Sequence, residues 1–130
     1  MQPSPLKVLV VDDCPIMRCA AQRLLTRRGH QPTIVSSLTE ARAQLKQFKF
    51  DLVLSDFDLG NNETGYQVLD LTRALQSPPT FVLMSSWLER DIDPDGVHLD
   101  GVAFIHKPFN PTLFQQTIAD AACGEERLAS

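Results

Sequence analysis

The sequence predicts an α/β domain built on a doubly wound five-stranded parallel sheet with flanking helices, the fourth helix short or irregular. Three observations predict it. Short apolar runs alternate with helix-period segments about five times along the chain. The runs are continuously apolar, as strands covered on both faces must be. The 130 residues, 43% of them hydrophobic and 22% charged, have the size and mix of one globular domain, residues 1–130 with a core over about residues 7–121.

Each element has its own signal. Leu6 to Val11 is a β-branched run that reads as a buried strand. Asp12-Asp13-Cys14-Pro15 opens a helix with proline in its first turn; Ile16, Ala20 and Leu24, widened by Met17 and Leu25, form its apolar stripe, and Gly29 ends it. Thr33-Ile34-Val35 is a weaker strand. Ser37-Leu38-Thr39-Glu40 has the capping-box pattern, with Ala41, Leu45 and Phe48 continuing the apolar face. Leu52-Val53-Leu54 is a third strand running into Ser55-Asp56, followed by a polar loop over Gly60 to Gly65. Val68, Leu71 and Leu75 mark a third helix stopped by Pro78-Pro79, and Phe81 to Met84 a fourth strand closed by Ser85-Ser86. The next helix is poor, because Leu88 to Gly101 contains Pro94 and two glycines. Val102 to Ile105 is the fifth strand. Asn110-Pro111 caps a last helix with Leu113, Phe114, Thr117, Ile118 and Ala121 expected inward.

Composition excludes several functions. No apolar run approaches the roughly 20 residues of a membrane helix. The start lacks a basic segment followed by an apolar one, so no secretion signal is expected. Cys14, Cys19 and Cys123 have no metal-ligand spacing and read as reduced thiols of a cytoplasmic protein. The net charge of -4 hides an asymmetry: residues 1–50 carry eight basic against three acidic residues, residues 51–130 four against thirteen. The acid excess argues against direct nucleic-acid binding, which depends on phosphate neutralisation. This chain has no room for a second domain of ordinary size, so a separate partner is expected to carry any output.

In parallel sheets of this kind ligands sit at the carboxyl ends of the strands. Those ends carry Asp12-Asp13, Asp56 with Asp58 two residues on, Ser85-Ser86, and Lys107. Three carboxylates on one rim repel one another, and a divalent cation resolves the repulsion. Hard oxygen ligands suit Mg²⁺, or Mn²⁺ in its place. A lysine and a hydroxyl opposite the metal can bind phosphoryl oxygens, so the set supports phosphoryl transfer to a carboxylate.

These fragments, in this order and spacing, resemble the response-regulator receiver domains of two-component signalling, of the chemotaxis-regulator, flavodoxin-like type, over about Lys7 to Ala121. The resemblance rests on Val8 to Asp13, Asp51 to Asp56, Leu83 to Ser86 and Lys107-Pro108-Phe109. It implies that Asp12 and Asp13 hold Mg²⁺ together with the Asp58 backbone carbonyl, and that Asp56 is the phospho-acceptor. It further implies that Ser85 and Lys107 contact the phosphoryl group, that Phe104 is the switch aromatic, and that Lys107-Pro108 is cis. The implied donor is a sensor histidine kinase or phosphotransfer protein, and the implied output is a phosphorylation-switched protein contact. Such a domain is not an enzyme acting on a separate substrate; it catalyses transfer to its own Asp56 and slow loss of the group. The sequence departs from the family pattern at Leu59-Gly60, where Met-Pro is usual, in a loop one residue longer before Gly65, at Phe104 in place of tyrosine, and in the fourth helix.

Blander readings exist for each residue. Asp12-Asp13 alone would suit a helix start, Lys107 alone a solvated surface, and Phe104 alone a core. Arg18, Arg23, Arg27 and Arg28 form either a solvated face or a docking surface for an acidic partner. Ser86 competes with Ser85 for the phosphoryl contact, with Ser85 favoured because it directly ends the apolar run. Trp87 is either an exposed residue at the site mouth or a lid, and with Asp58 it is expected to set the lifetime of the phosphoryl group. Asp91, Asp93 and Asp95 match the start of a calcium loop, but Val102 stands where its bidentate glutamate belongs. Two rival functions remain. One is a receiver-like binding module that never uses phosphate. The other is a haloacid-dehalogenase-type phosphatase built on Asp56-Phe57-Asp58, against which the early position of Asp12-Asp13 argues.

Overall fold

The structure, a computed structural model, describes residues 5–129, with side chains through residue 123. The first four residues, on which the secretion-signal expectation partly rests, lie outside the described residues. The elements run β1 (Lys7–Val11), α1 (Pro15–Arg27), β2 (Gln31–Val35), α2 (Leu38–Gln47), β3 (Leu52–Asp56), β4 (Asp58–Gly60), β5 (Glu63–Thr64), α3 (Gly65–Arg73), β6 (Thr80–Ser85), α4 (Glu89–Ile92), β7 (Ala103–His106) and α5 (Pro111–Ala129). The main sheet is parallel with strand order β2-β1-β3-β6-β7. The chain starts in β1, steps outward to β2, then crosses back to β3. The order therefore reverses between β1 and β3, and loops from these two strands diverge to leave a crevice at their carboxyl ends.

Side chains alternate between two cores, as the two-residue period of a strand dictates. Leu9, Val11, Val53, Phe81 and Leu83 pack with Leu38, Ala41 and Leu45 of α2 and Val68 and Leu69 of α3. Val8, Val10, Leu52, Leu54, Val82 and Met84 pack with Ala21, Leu24 and Leu25 of α1 and Phe114 and Ile118 of α5. Both faces of β3 are buried throughout, which explains the unbroken apolar run Leu52-Val53-Leu54 at its start.

The helix ends follow local chemistry. Pro15 opens α1, where its missing N–H costs nothing. Gly29 takes φ +80°, and the His30 N–H reaches back to the Leu25 carbonyl at 3.1 Å, closing the helix. Ser37 Oγ accepts from the Glu40 N–H at 3.2 Å, while Glu40 accepts from the N–H of Ser36 at 2.9 Å, a capping box shifted by one residue on its return side. Asn110 Oδ1 accepts from the Leu113 N–H at 2.7 Å at the start of α5.

Four expectations are corrected. Ile16 is 77% exposed, because the buried stripe of α1 runs through Ala21, Leu24 and Leu25, one position round from the predicted spacing. Phe48 is 53% exposed: α2 ends at Gln47, and extended backbone at Phe48 turns the ring off the helix face. Leu113 is half exposed, since the face that α5 turns to the sheet runs through Phe114, Ile118 and Ala121. The polar loop is a small antiparallel hairpin, β4 with β5, turning at Asn61 and Asn62, both in the left-handed region that asparagine tolerates. The fourth helix is four residues long, as its proline and glycines predicted. No helix among the described residues is long and apolar enough to cross a membrane.

Candidate phosphoryl and metal site

Strand register assembles the site. Val11 pairs with Ser55, so Asp12 and Asp56 follow on neighbouring strands. Asp56 pairs with Met84, and Ser85 pairs with His106, which puts Ser85 and Lys107 at the same end of the sheet. Backbone bonds hold this rim together: the Asp12 N–H donates to the Val35 carbonyl at 3.2 Å, Phe57 to Met84 at 2.7 Å, and Lys107 to Ser85 at 2.7 Å. The Lys107-Pro108 peptide bond is cis.

Carboxylate oxygens of Asp12, Asp13 and Asp56 lie within 4.8 Å of one another, the one such grouping of three acidic, histidine or cysteine ligands among the described residues. Asp12 is fully buried and Asp56 is 9% exposed, whereas Asp13 faces solvent. The Lys107 ammonium lies 3.1 Å from Asp12 Oδ2 and 3.3 Å from Asp56 Oδ2. Burial pushes the Asp56 carboxyl up from 3.8 to about 6; Lys107 opposes that rise, and Asp12 and Asp13 add to it. The pair of buried acids is thus only partly neutralised by one lysine, and a cation between the three carboxylates would complete the compensation. The donors are all hard oxygens, which fits Mg²⁺ or Mn²⁺ and not a thiophilic metal.

Neighbours set these groups in place. Asp12 Oδ1 accepts from the Cys14 N–H at 2.9 Å, and Arg18 Nη1 donates to the Asp12 carbonyl at 2.9 Å. Arg18 is therefore not simply part of a solvated basic face. Asp58 is exposed, its carboxylate turned back to accept from the Gly60 N–H at 3.0 Å. Ser85 is 1% exposed and its Oγ accepts from the Trp87 N–H at 2.9 Å, while Ser86 is exposed. Trp87 is 61% exposed, so it is no packed lid in this conformation. Phe104 is half-buried against the α2–α3 core. Asp93 does not join Asp91 and Asp95: its two oxygens accept from the N–H groups of His98 at 3.1 Å and Leu99 at 2.9 Å, so it caps a turn.

Two glycines that the sequence marks only as the bounds of the polar loop shape the site. At Gly60, with φ +76°, a Cβ would lie 3.1 Å from Asp13 Oδ2. At Gly65 a Cβ would lie 2.6 Å from the Asp56 carbonyl oxygen and 2.6 Å from Leu83 Cδ1, so α3 abuts the backbone of Asp56. Their place at either end of the polar loop was the only available signal.

Comparison with known proteins agrees with this geometry. A family model described as the response regulator receiver domain matches residues 8–119. The two-component response regulator ORR21 of Oryza sativa subsp. indica is 29% identical over 108 residues, covering 82% of this chain and 15% of that protein. The sensory/regulatory protein RpfC of Xanthomonas campestris pv. campestris is 26% identical over 130 residues, covering 96% of this chain and 18% of that one. The chain thus spans less than a fifth of the length of these relatives. The chemotaxis response regulator CheY4 of Vibrio cholerae shares the fold with a TM-score of 0.80 at 23% identity, over 91% of this chain and 99% of that one. The response regulator PhyR from Brucella abortus does so with a TM-score of 0.85 at 19% identity, over 98% of this chain and 52% of that one. Because the matched span takes in all five strands of the main sheet and every acid of the cluster at their ends, the chain belongs to the response regulator receiver domains of two-component systems.

Proposed function

We propose that this receiver accepts a phosphoryl group on Asp56 and uses it to switch a protein contact. The observation that carries the reading is the convergence of the Asp12, Asp13 and Asp56 carboxylates on one point with the Lys107 ammonium beside them. Asp12, Asp13 and the Asp58 backbone carbonyl, with Asp56, would hold Mg²⁺ or Mn²⁺, whose bound charge would offset that of the incoming phosphoryl oxygens. An Asp56 carboxylate oxygen attacks phosphorus in line, and the P–N bond of a phosphohistidine on a sensor histidine kinase or phosphotransfer protein breaks. Lys107 pairs with the transferred oxygens, and the Ser85 hydroxyl donates to one of them once it turns from its present place beside the Trp87 N–H. Phe104, only half-buried, has room to follow. Asp58 and Trp87 border the path of a hydrolytic water and set how long the group persists. The domain acts in the cytoplasm through another protein, with neither nucleic acid nor membrane as its direct target.

Incubation with acetyl phosphate and a magnesium salt should add one phosphoryl group by intact mass, with acetate leaving, and Asp56→Asn should abolish the addition. A wild-type protein that gains no mass under these conditions overturns the reading and leaves a phosphate-independent binding module. Sustained turnover of a phosphomonoester would favour a phosphatase instead.

A further inference from the structure

The segment from Leu88 to Gly101 crosses between β6 and β7 with little regular structure of its own, and Arg73 Nη2 of α3 donates to its Asp100 carbonyl at 3.3 Å. Its helix is a single turn with no buried residue. Leu99 is buried in the core, and Asp93 caps the His98 and Leu99 N–H groups. Two of the remaining ties go to one residue of α3. The Tyr66 hydroxyl donates to the Ile92 carbonyl, and the Tyr66 ring stacks on the His98 imidazole at 3.9 Å between centroids and 21° between planes. Asp70, one helical turn further along α3, lies 4.0 Å from His98 Nε2.

The same end of α3 touches the acceptor. Gly65 admits no side chain because the Asp56 carbonyl lies where its Cβ would be, and its N–H donates to the Phe57 carbonyl at 2.7 Å. The Phe57 ring meets the Tyr66 ring edge-on at 5.1 Å. Two adjacent residues at the acceptor, Asp56 and Phe57, therefore contact two adjacent residues of α3, Gly65 and Tyr66, and the second of these holds the crossover. A shift of the Asp56–Phe57 backbone has a direct mechanical route through one aromatic ring to Ile92 and His98.

We infer that Tyr66 is a positioning residue that couples phosphoryl occupancy of Asp56 to the conformation of the Leu88–Gly101 segment, through the Phe57–Tyr66–His98 stack and the Tyr66–Ile92 hydrogen bond. This rests on the reading of Asp56 as acceptor. With the strut intact, the crossover is latched onto α3 and moves when the acceptor loop moves. Without it, the crossover keeps Leu99 in the core, its own turn and the exposed contacts of Asp70 with His98 and Arg73 with the Asp100 carbonyl, and its opening no longer follows the state of Asp56.

Backbone hydrogen exchange, resolved to peptides spanning residues 88–101, tests this in wild type, Tyr66→Phe and Tyr66→Leu, each with and without acetyl phosphate and Mg²⁺, alongside intact mass. Tyr66→Phe keeps the ring and loses one hydrogen bond, so resting exchange in this segment should rise about tenfold, and Tyr66→Leu should raise it further. In wild type, phosphorylation should change exchange in the segment. In Tyr66→Leu the phosphoryl group should still be gained while that change is lost, read at labelling times short enough that resting exchange in the segment is incomplete, so that saturation does not mimic the loss. Survival of the phosphorylation-dependent change in Tyr66→Leu, or unaltered resting exchange in both variants, overturns the inference. If wild type gains no phosphoryl group, the acceptor reading fails; unaltered resting exchange would then dismiss the latch as well, and faster exchange would retain it without the coupling.

Discussion

Replacing Asp56 with asparagine is expected to stabilise the metal-free protein at neutral pH, although it removes the residue on which the function depends. The Asp56 carboxyl sits at about 6, chiefly through burial, with Asp12 and Asp13 adding to the rise. In the unfolded chain the same group titrates near the ordinary value of about 3.9. The gap is about two pKa units, which corresponds to about 3 kcal/mol of differential stability. Because the folded state binds this proton more tightly than the unfolded state, the contribution is fully present below about pH 4. It is lost as pH rises through about 6, where the folded group finally ionises. Asparagine has nearly the same shape and no charge at any pH, and Lys107 keeps Asp12 at 3.1 Å as its partner.

The assay is urea unfolding from pH 4 to 8 in the presence of a chelator. Other carboxylates titrate in both proteins and largely cancel in the difference. The stability advantage of Asp56→Asn over wild type should widen by about 2–3 kcal/mol between pH 4 and 7.5. Adding Mg²⁺ should narrow it again, because ligand binding stabilises the wild-type fold by mass action. A difference that does not vary with pH, or that favours wild type increasingly as pH rises, would refute the account of an uncompensated acid cluster.

Gly65→Ala should cost about 1–3 kcal/mol in thermal unfolding and slow phosphoryl uptake from acetyl phosphate, because the new methyl group meets the Asp56 carbonyl, a backbone atom that cannot swing aside. An alanine variant with wild-type melting would show that α3 is free to retreat. His30 Nδ1 accepts the Leu6 N–H at 3.0 Å, and burial, with Arg28 nearby, holds its pKa below 6.5. That tie is fully present above 6.5 and is lost as pH falls through the lower folded value, so His30→Gln should remove part of the acid-side loss of stability. An identical acid slope in the two proteins would count against it. Asp58→Ala and Trp87→Ala should each change the decay rate of the phosphorylated protein several-fold with little effect on melting, since both side chains are exposed beside the site; unchanged decay, followed by intact mass, would remove them from that role.

The strands and the site were legible for the same reason. Strands buried on both faces read as uninterrupted apolar runs, and a doubly wound sheet delivers whatever follows those runs to one rim, so Asp12, Asp56, Ser85 and Lys107 could be placed together before any coordinates. Helix faces were less legible. A stripe one position off, as at Ile16, satisfies the same spacing, and only the packing of Ala21 and Leu24 against the sheet decides between them. The β4–β5 hairpin escaped because its two strands are three and two residues long, too short for any periodicity, with the asparagine pair as the sole local cue.

The crossover between β6 and β7 escaped in a more instructive way. Pro94, Gly96 and Gly101 state that a helix fails there, but not what replaces it. A full helix would satisfy its own backbone groups and dock through an apolar stripe. This segment instead has its N–H groups at His98 and Leu99 capped by Asp93 and its carbonyl at Ile92 taken by Tyr66, a residue twenty-six positions earlier in sequence. What looked in the sequence like the start of a calcium loop thus supplies, through Asp93, a cap for a turn. Tyr66, which no local sequence pattern singles out, supplies a tie. Side-chain hydrogen bonds and one stack are individually weak and reversible, so a crossover held partly in this manner can respond to a displacement at Asp56 and Phe57 that the Phe57–Tyr66 contact passes on.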